Sequence, residues 1–287
     1  MELDFRRTYE EVTFSIITPT LNAESFILNC LKSVRDQNSC AEHLIQDSAS
    51  SDRTIPIVKE FANQATSVSF ESLPDAGQSD ALNKLVSKAT GKYIGWLNAD
   101  ETYLPGTLAA ISEIFENTNA DIIYGDCFFV NQSHRIIRLL SNHRFNSTML
   151  EQYGCYIPSC ATFFRKEVLK SISFDTKLRR AMDWDIYLSL RNQYRFKYIK
   201  KTLSTFTVHD KQITNRPESA DIEEFRYLAR KHSLQYVPAE SKPRFNYKLL
   251  RIILKTLNFN YLREVYFLSI ARIGNHKYSA LGNNNEI

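Results

Sequence analysis

At 287 residues, 43 % hydrophobic and 24 % charged with a net charge of +4, the chain can bury its own core without disulfides, and it lacks the strong basic excess of a nucleic-acid binder. No apolar run reaches the ~20 residues that span a bilayer, no apolar stretch follows the charged start as in a signal peptide, and the 5 cysteines, with no C-x-x-C pair, fit reduced thiols in the cytoplasm. Charge is uneven: residues 239–287 carry eight Lys/Arg against three Glu, whereas the first 238 carry 28 basic and 29 acidic side chains, a nearly neutral body with a basic tail.

Residues 12–18 are apolar and β-branched and stop at Pro19, a buried first strand. Phe26, Ile27, Cys30, Leu31 and Val34 recur at helical spacing within 25–36. A strand at 42–47 ends on Asp47, and Ser50-Ser-Asp52 can cap the helix carrying Ile55, Val58 and Phe61. A weaker strand at 67–71 precedes a helix at 78–89, with Gly91 placed as its C-terminal cap. A strand at 92–97 then delivers Asn98 and Asp100, Pro105 opens a helix to about Glu116, and a strand at 120–124 ends in Gly125-Asp126. The alternation β-α-β-α-β-α-β-α-β predicts a Rossmann-like, mainly parallel sheet with helices on both faces.

Beyond Asp126 the rhythm changes. Residues 128–130 and 135–140 read as a hairpin, 182–192 as an amphipathic helix, 196–208 as two strand-like runs and 219–232 as a charge-rich helix. Pro238 and Pro243 bracket a linker-like stretch, which divides the chain into a body, residues 1–238, and a basic helical extension, residues 239–287. In the extension Phe245, Leu249, Ile252, Ile253 and Leu257 share one helical stripe, and Lys248, Arg251 and Lys255 another. Two readings stay open: a basic amphipathic helix lying on anionic lipid, or a helix packed on the body with its basic face in solvent.

Five polar clusters stand at the ends of these elements. Thr18-Pro19-Thr20-Leu21-Asn22 follows strand one, where Asn22 can hold a nucleotide or cap the next helix. Asp47 ends strand two, placed to accept a hydrogen bond from a base or to form a turn with Ser48 to Ser51. Asp75-Ala-Gly-Gln-Ser-Asp80 is neither a Walker loop nor a dinucleotide fingerprint, and Gly77 permits close approach or a positive φ. Asn98-Ala-Asp100-Glu101 sets oxygen side chains just past a buried strand, which suits a hard divalent cation gripping a diphosphate. Asp183-Trp-Asp185 opens a helix, as a general base or as a helix-terminal charge, and His209 follows a strand-like run where it can complete a metal shell.

In this order the motifs resemble family 2 glycosyltransferases of the GT-A fold, over roughly residues 12–214. The segment from Asp75 to Leu108, with its Gly-Gln-Ser-Asp-Ala and Trp-Leu-Asn-Ala-Asp runs, is similar to a branch that builds bacterial surface polysaccharides. The resemblance implies an inverting transfer from a nucleotide-sugar, UDP-linked in expectation, to a glycan or lipid-linked hydroxyl. It assigns Thr18, Pro19, Asn22, Asp47, Asp75, Gln78, Asp80 and Asn98 to nucleotide-sugar binding. Asp100 and His209 hold a divalent cation, Mn²⁺ or Mg²⁺, and Asp183 acts as base, with Asp185 its alternative. Asn98 stands where the family has the first acid of Asp-x-Asp, and Ser48 and Ala49 where Asp or Gly is common. Composition and the tail add the expectation of a cytoplasmic enzyme without nucleic-acid partners and, where the basic helix lies on lipid, of contact with the inner face of the membrane. Two rivals are a nucleotidyltransferase, whose Gly-rich basic loop is missing from residues 20–26, and a non-catalytic nucleotide-sugar-binding subunit.

Overall fold

The structure, a computed structural model, describes residues 13–37, 39–210, 212, 218–235, 245–257 and 260–273; Pro238 and Pro243 of the linker-like stretch lie outside them. In chain order the elements are β1 (Phe14–Thr20), α1 (Ile27–Arg35), β2 (Ala41–Asp47), α2 (Thr54–Gln64), β3 (Val68–Ser72), α3 (Gln78–Lys88), β4 (Tyr93–Trp96), β5 (Glu101–Tyr103) and α4 (Thr107–Asn117). There follow β6 (Ile122–Val130), β7 (Ile136–Leu140), α5 (Ser147–Gln152), β8 (Thr162–Arg165), α6 (Lys166–Lys170), α7 (Met182–Leu190), β9 (Phe196–Thr207), α8 (Glu218–His232), α9 (Phe245–Leu257) and α10 (Asn260–Ile273).

Strand order is β3-β2-β1-β4-β8-β6-β9-β5, with β7 paired to β6. β1 is buried at every position because parallel neighbours flank it on both edges, β2 and β4. Such strands read as continuous apolar runs, which is why β1 was legible. The second half of the sheet departs from the simple alternation. β8 inserts antiparallel between β4 and β6, so the strand at 122–130 does not lie beside β4. Phe163 and Phe164 of β8 project to opposite faces and join the two main core clusters, one on each side of the sheet.

The expected break at Gly125-Asp126 is absent. β6 runs through it, and its register against β9 slips between Tyr124 and Cys127. Gly125 is required there because a Cβ would lie 2.6 Å from the Lys201 carbonyl oxygen. The two runs expected at 196–208 are likewise one strand, β9. Gly91 does not cap α3, whose C-cap is Ala89; it passes the β1 backbone, where a Cβ would lie 2.5 Å from the Phe14 carbonyl carbon.

The C-terminal helices dock on the body, and the described cations of α9 turn inward, unlike the solvated basic face of the packed-helix reading. Leu250 and Leu254 of α9 pack on the main core, and Phe267 of α10 enters a cluster with Phe128, Val130, Ile136 and Leu139. Arg251 lies over the Tyr153 ring, Lys255 pairs with Glu264 at 2.6 Å, and Arg263 pairs with the fully buried Asp126 at 2.7 Å. These cations turn inward because the buried Asp126, the partly buried Glu264 and an aromatic face compensate their desolvation. Burial pushes Asp126 up to about 6 despite Arg263, the Asn142 N–H and the Tyr198 hydroxyl, which favour its charged form. Arg263→Ala leaves that carboxylate without its cation and is expected to cost roughly 3 kcal/mol. Urea unfolding at neutral pH measures it, and a loss below about 1 kcal/mol, the range of an exposed pair, would show that the pair does not hold the helix.

Candidate active site

The C-terminal ends of the parallel strands β1, β2 and β4 open on a crevice of about 590 Å³, the position where open α/β sheets bind ligands. Asp100 and His209 meet at one end of it. The cause is strand pairing: Glu101 of β5 lies opposite Phe206 of β9, so Asp100, just before β5, and His209, two residues past the end of β9, are neighbours. His209 Nε2 is 3.0 Å from Asp100 Oδ2. Phe26 stacks on the imidazole, with centroids 4.5 Å apart, and fixes its plane. Beneath them Glu101 is buried and accepts the Asn98 N–H at 2.7 Å; burial, with nearby Asp100 adding to it, pushes its carboxyl well above the usual range.

Asn98 presents its other end to the crevice. Its Oδ1 accepts from Trp96 Nε1 and Gln78 Nε2, both at 2.8 Å. With the oxygen engaged by two donors, the side chain offers an N–H₂ group to a ligand. In this structure the Asn98 oxygen is thus taken by protein donors, and its N–H₂ group is the part left for a ligand. A divalent cation still fits at Asp100 and His209. Their 3.0 Å separation matches adjacent ligands of an octahedral ion bound at about 2.1 Å. Among the described residues no third His, Cys, Asp or Glu joins them, so the shell needs oxygens from the ligand.

Asp183 lines the same crevice. It lies in the first turn of α7, whose entry is held by Glu224 of α8, which accepts the backbone N–H groups of Arg179, Arg180 and Ala181 at 2.7 to 3.2 Å. Trp184, 2 % exposed, anchors the helix through Nε1 to the Leu150 carbonyl at 2.9 Å. Asp183 is half-buried, and desolvation raises it to about 6, against the Trp184 N–H, the Cys155 thiol and Arg180. The Cys155 thiol lies 3.7 Å from its Oδ2. Asp185 points the other way: it is 1 % exposed, and its oxygens meet Lys231 at 2.9 Å and His232 at 2.6 Å. Asp185 ties α7 to α8 and is not available to the crevice.

The remaining expected residues divide into two layers. Pro19, Asn22, Asp75 and Gln78 line the crevice. Asn22 does not cap α1; its Oδ1 accepts the Ser51 N–H at 2.9 Å and joins the β1 turn to the loop after β2. Asp75 accepts from Ser48 Oγ and the Gly77 N–H. Thr18, Asp47 and Asp80 stand behind the wall. Thr18 is buried, donates to the Leu97 carbonyl at 2.7 Å and bonds His43 Nε2 at 2.8 Å. Asp47 is 0 % exposed, and its oxygens accept from the Ser50 N–H, the Ser50 hydroxyl and the Ser72 hydroxyl. In this structure the Asp47 carboxylate shapes the loop that borders the crevice. Asp80 accepts the Ala76 N–H and pairs with Lys84 at 3.0 Å at the start of α3.

Sequence reasoning missed Phe26 as a site residue, and it missed the crevice-lining Arg179 and Arg180. Arg179 reaches back across the crevice to donate to the Ala76 carbonyl at 2.6 Å. Its guanidinium fills the space beside Gly77, where a Cβ would lie 1.9 Å from Nη1 and φ is +110°. Two consecutive arginines before an Asp-Trp-Asp turn were the available signal.

A family model described as Glycosyl transferase family 2 matches residues 15–173. The PGL/p-HBAD biosynthesis glycosyltransferase of Mycobacterium tuberculosis is 32% identical over 184 residues, 60% of this chain and 67% of that protein. The fold is similar to that of S. aureus TarS 1-349 in complex with UDP-GlcNAc, at TM-score 0.63 and 18% identity over 79% of this chain and 69% of that one. It is also similar to the mannosyltransferase PcManGT from Pyrobaculum calidifontis in complex with GDP-Man and Mn2+, at TM-score 0.57 and 18% identity over 96% of this chain and 79% of that one. The mixed, mostly parallel sheet with its helices is the GT-A glycosyltransferase fold.

Proposed function

Because the chain belongs to glycosyl transferase family 2, we propose that it moves a sugar, with inversion, from a nucleoside-diphosphate sugar to a hydroxyl of a glycan or lipid-linked acceptor. The process it serves on this reading is bacterial surface-polysaccharide synthesis at the cytoplasmic face of the membrane. One observation carries the proposal: a carboxylate raised to about 6, Asp183, shares a crevice with the Asp100–His209 pair.

Asp183 accepts the proton of the acceptor hydroxyl, whose oxygen attacks the anomeric carbon from the side opposite the leaving diphosphate. Trp184 and the Glu224-held entry to α7 keep the carboxylate aimed. Asn98 Nδ2 donates to an oxygen of the donor. Arg180 and Arg179 add positive charge along the crevice. Pro19, Asn22, Asp75 and Gln78 contact the nucleotide-sugar, and Thr18, Asp47 and Asp80 hold the segments that carry those contacts. Asp100 and His209 would hold Mn²⁺ or Mg²⁺, which when bound neutralises charge on the departing diphosphate. The mixed carboxylate and imidazole set favours Mn²⁺ over Mg²⁺. UDP is the proposed nucleotide, supported by the TarS complex with UDP-GlcNAc; the PcManGT complex with GDP-Man makes GDP the comparison arm.

Thermal shift and donor hydrolysis across UDP- and GDP-sugars with Mn²⁺ test the reading. A stabilising donor that is also cleaved supports it. Binding without any turnover, even with acceptor glycans, would favour a non-catalytic binding subunit. The pH dependence gives a second check. A base must be deprotonated to act, so kcat/KM is expected to rise with pH and reach half its plateau near about 6. A profile flat from about pH 5 to 8 would exclude Asp183 as the base.

A further inference from the structure

Among the described residues, three side-chain links stitch the segment between α6 and α7 to α3 and the turn before it. Asn83 of α3 donates to the Phe174 carbonyl at 2.9 Å and accepts the Phe174 N–H at 2.8 Å. Ser79 Oγ donates to the Leu178 carbonyl at 3.3 Å. The third link, from Arg179 Nη1 to the Ala76 carbonyl at 2.6 Å, joins two residues that border the crevice rather than the seam behind it. The first two lie in buried or half-buried surroundings and hold the seam without it.

The third link also differs in chemistry. Arg179 is exposed, and among the described residues its side chain has a neutral carbonyl as acceptor and no carboxylate as partner. A guanidinium carries five N–H donors in a planar fork, so most of them are left over at the crevice. The backbone beneath is fixed, because Glu224 accepts the Arg179 N–H at 2.7 Å. Arg180 is differently placed: its charge bears on Asp183 and favours the ionised carboxylate.

Residue 77 is matched to this arginine. Gly77 holds φ at +110°, and a Cβ would lie 1.9 Å from Nη1, so a side chain here would push the guanidinium off the turn. Gln78, the next residue, donates to Asn98 Oδ1 at 2.8 Å, and Asp100 follows Asn98 by two. N–H groups and positive charge therefore run along the crevice from Arg179, by way of the Asn98 amide, to the cation position at Asp100 and His209. A ligand with several anionic oxygens in a row fits that run, and arginine is the side chain that grips phosphate bidentately.

We propose that Arg179 binds the diphosphate of the donor, exchanging the Ala76 carbonyl for phosphate oxygens, and that residue 77 is glycine to leave room for it. The assignment rests on the transfer reading and adds to the cation a second positive group, supplied by the protein itself.

Calorimetry on the full chain compares UDP with uridine, and GDP with guanosine, each with Mn²⁺ and with EDTA. Arg179→Ala is expected to weaken diphosphate binding about ten- to a hundredfold, the range of charge-assisted hydrogen bonds, with nucleoside binding unchanged. Arg179→Lys keeps the charge without the fork and should recover only part of the loss. Gly77→Ala should weaken diphosphate binding similarly, and adding it to Arg179→Ala should cost little more, because both remove one contact. Arg179→Ala is expected to keep the wild-type melting temperature; if it does not, Arg179→Gln, which retains a donor for the Ala76 carbonyl, carries the same expectation. A folded variant that binds the diphosphate as the wild type does overturns the assignment while the transfer reading stands. So does a loss shared equally by diphosphate and nucleoside, which marks a structural staple, or an effect confined to the KM of the acceptor. A wild type that binds neither diphosphate fails at the transfer reading, and the assignment falls with it.

Discussion

Asp183→Asn is expected to lower kcat by about 10²–10⁴-fold while leaving donor affinity nearly unchanged. The substitution is isosteric, and the amide oxygen can still accept the Trp184 N–H that the carboxylate accepts at 2.7 Å. What is lost is the capacity to take a proton. Asp185 cannot replace it, because Lys231 and His232 occupy its oxygens and it is 1 % exposed. Asp185→Asn should therefore act mainly on stability, by weakening the α7–α8 tie. Single-turnover transfer and calorimetric donor binding on both variants separate the roles. Full activity in Asp183→Asn would end the assignment, and an Asp185→Asn variant that folds normally but fails only in turnover would move it.

The second large effect is expected at Asp100. Asp100→Ala should lower kcat/KM by about 10²–10³-fold, the usual consequence of removing one group that stabilises charge in the transition state. It should also abolish the extra thermal stabilisation that Mn²⁺ adds to a bound nucleoside diphosphate. The reason lies in the ligand count. Asn98 directs its oxygen to Trp96 and Gln78, which on the proposed reading leaves Asp100 as the anionic protein ligand beside His209. A family member with two acids at this motif has a reserve, whereas here the loss of one carboxylate leaves an imidazole. A Mn²⁺ response that survives in Asp100→Ala would place the cation elsewhere.

Some of this was legible from local pattern. The run that became β1 and the strand end carrying Asn98 and Asp100 could be read because buried parallel strands are continuously apolar and their ends are polar. The helix bearing Asp183 was readable as an element but not as the amphipathic one expected, because seven of its nine residues are buried. β8 was not. At four residues, Thr-Phe-Phe-Arg, it is too short for periodicity to declare, and its place depends on β4 and β6 being ready to receive it. The inward turn of Arg251, Lys255 and Arg263 was equally illegible, because a basic stripe reads as solvated until a buried Asp126, a Tyr153 ring and Glu264 are known to face it.

By itself the sequence determined the first strands and helices of the alternation and which polar residues stand at their ends, since those depend on the periodicity and chemistry of neighbours along the chain. Only the tertiary structure decided what each polar residue faces. It sealed Asp47 behind the wall, turned Asp185 to α8 and Asp183 to the crevice, and set Asp100 against His209 by pairing β5 with β9. The physical reason is that carboxylates a few residues apart share the same local signal, while their roles follow from burial and from partners elsewhere in the chain, such as the Lys231 and His232 that hold Asp185.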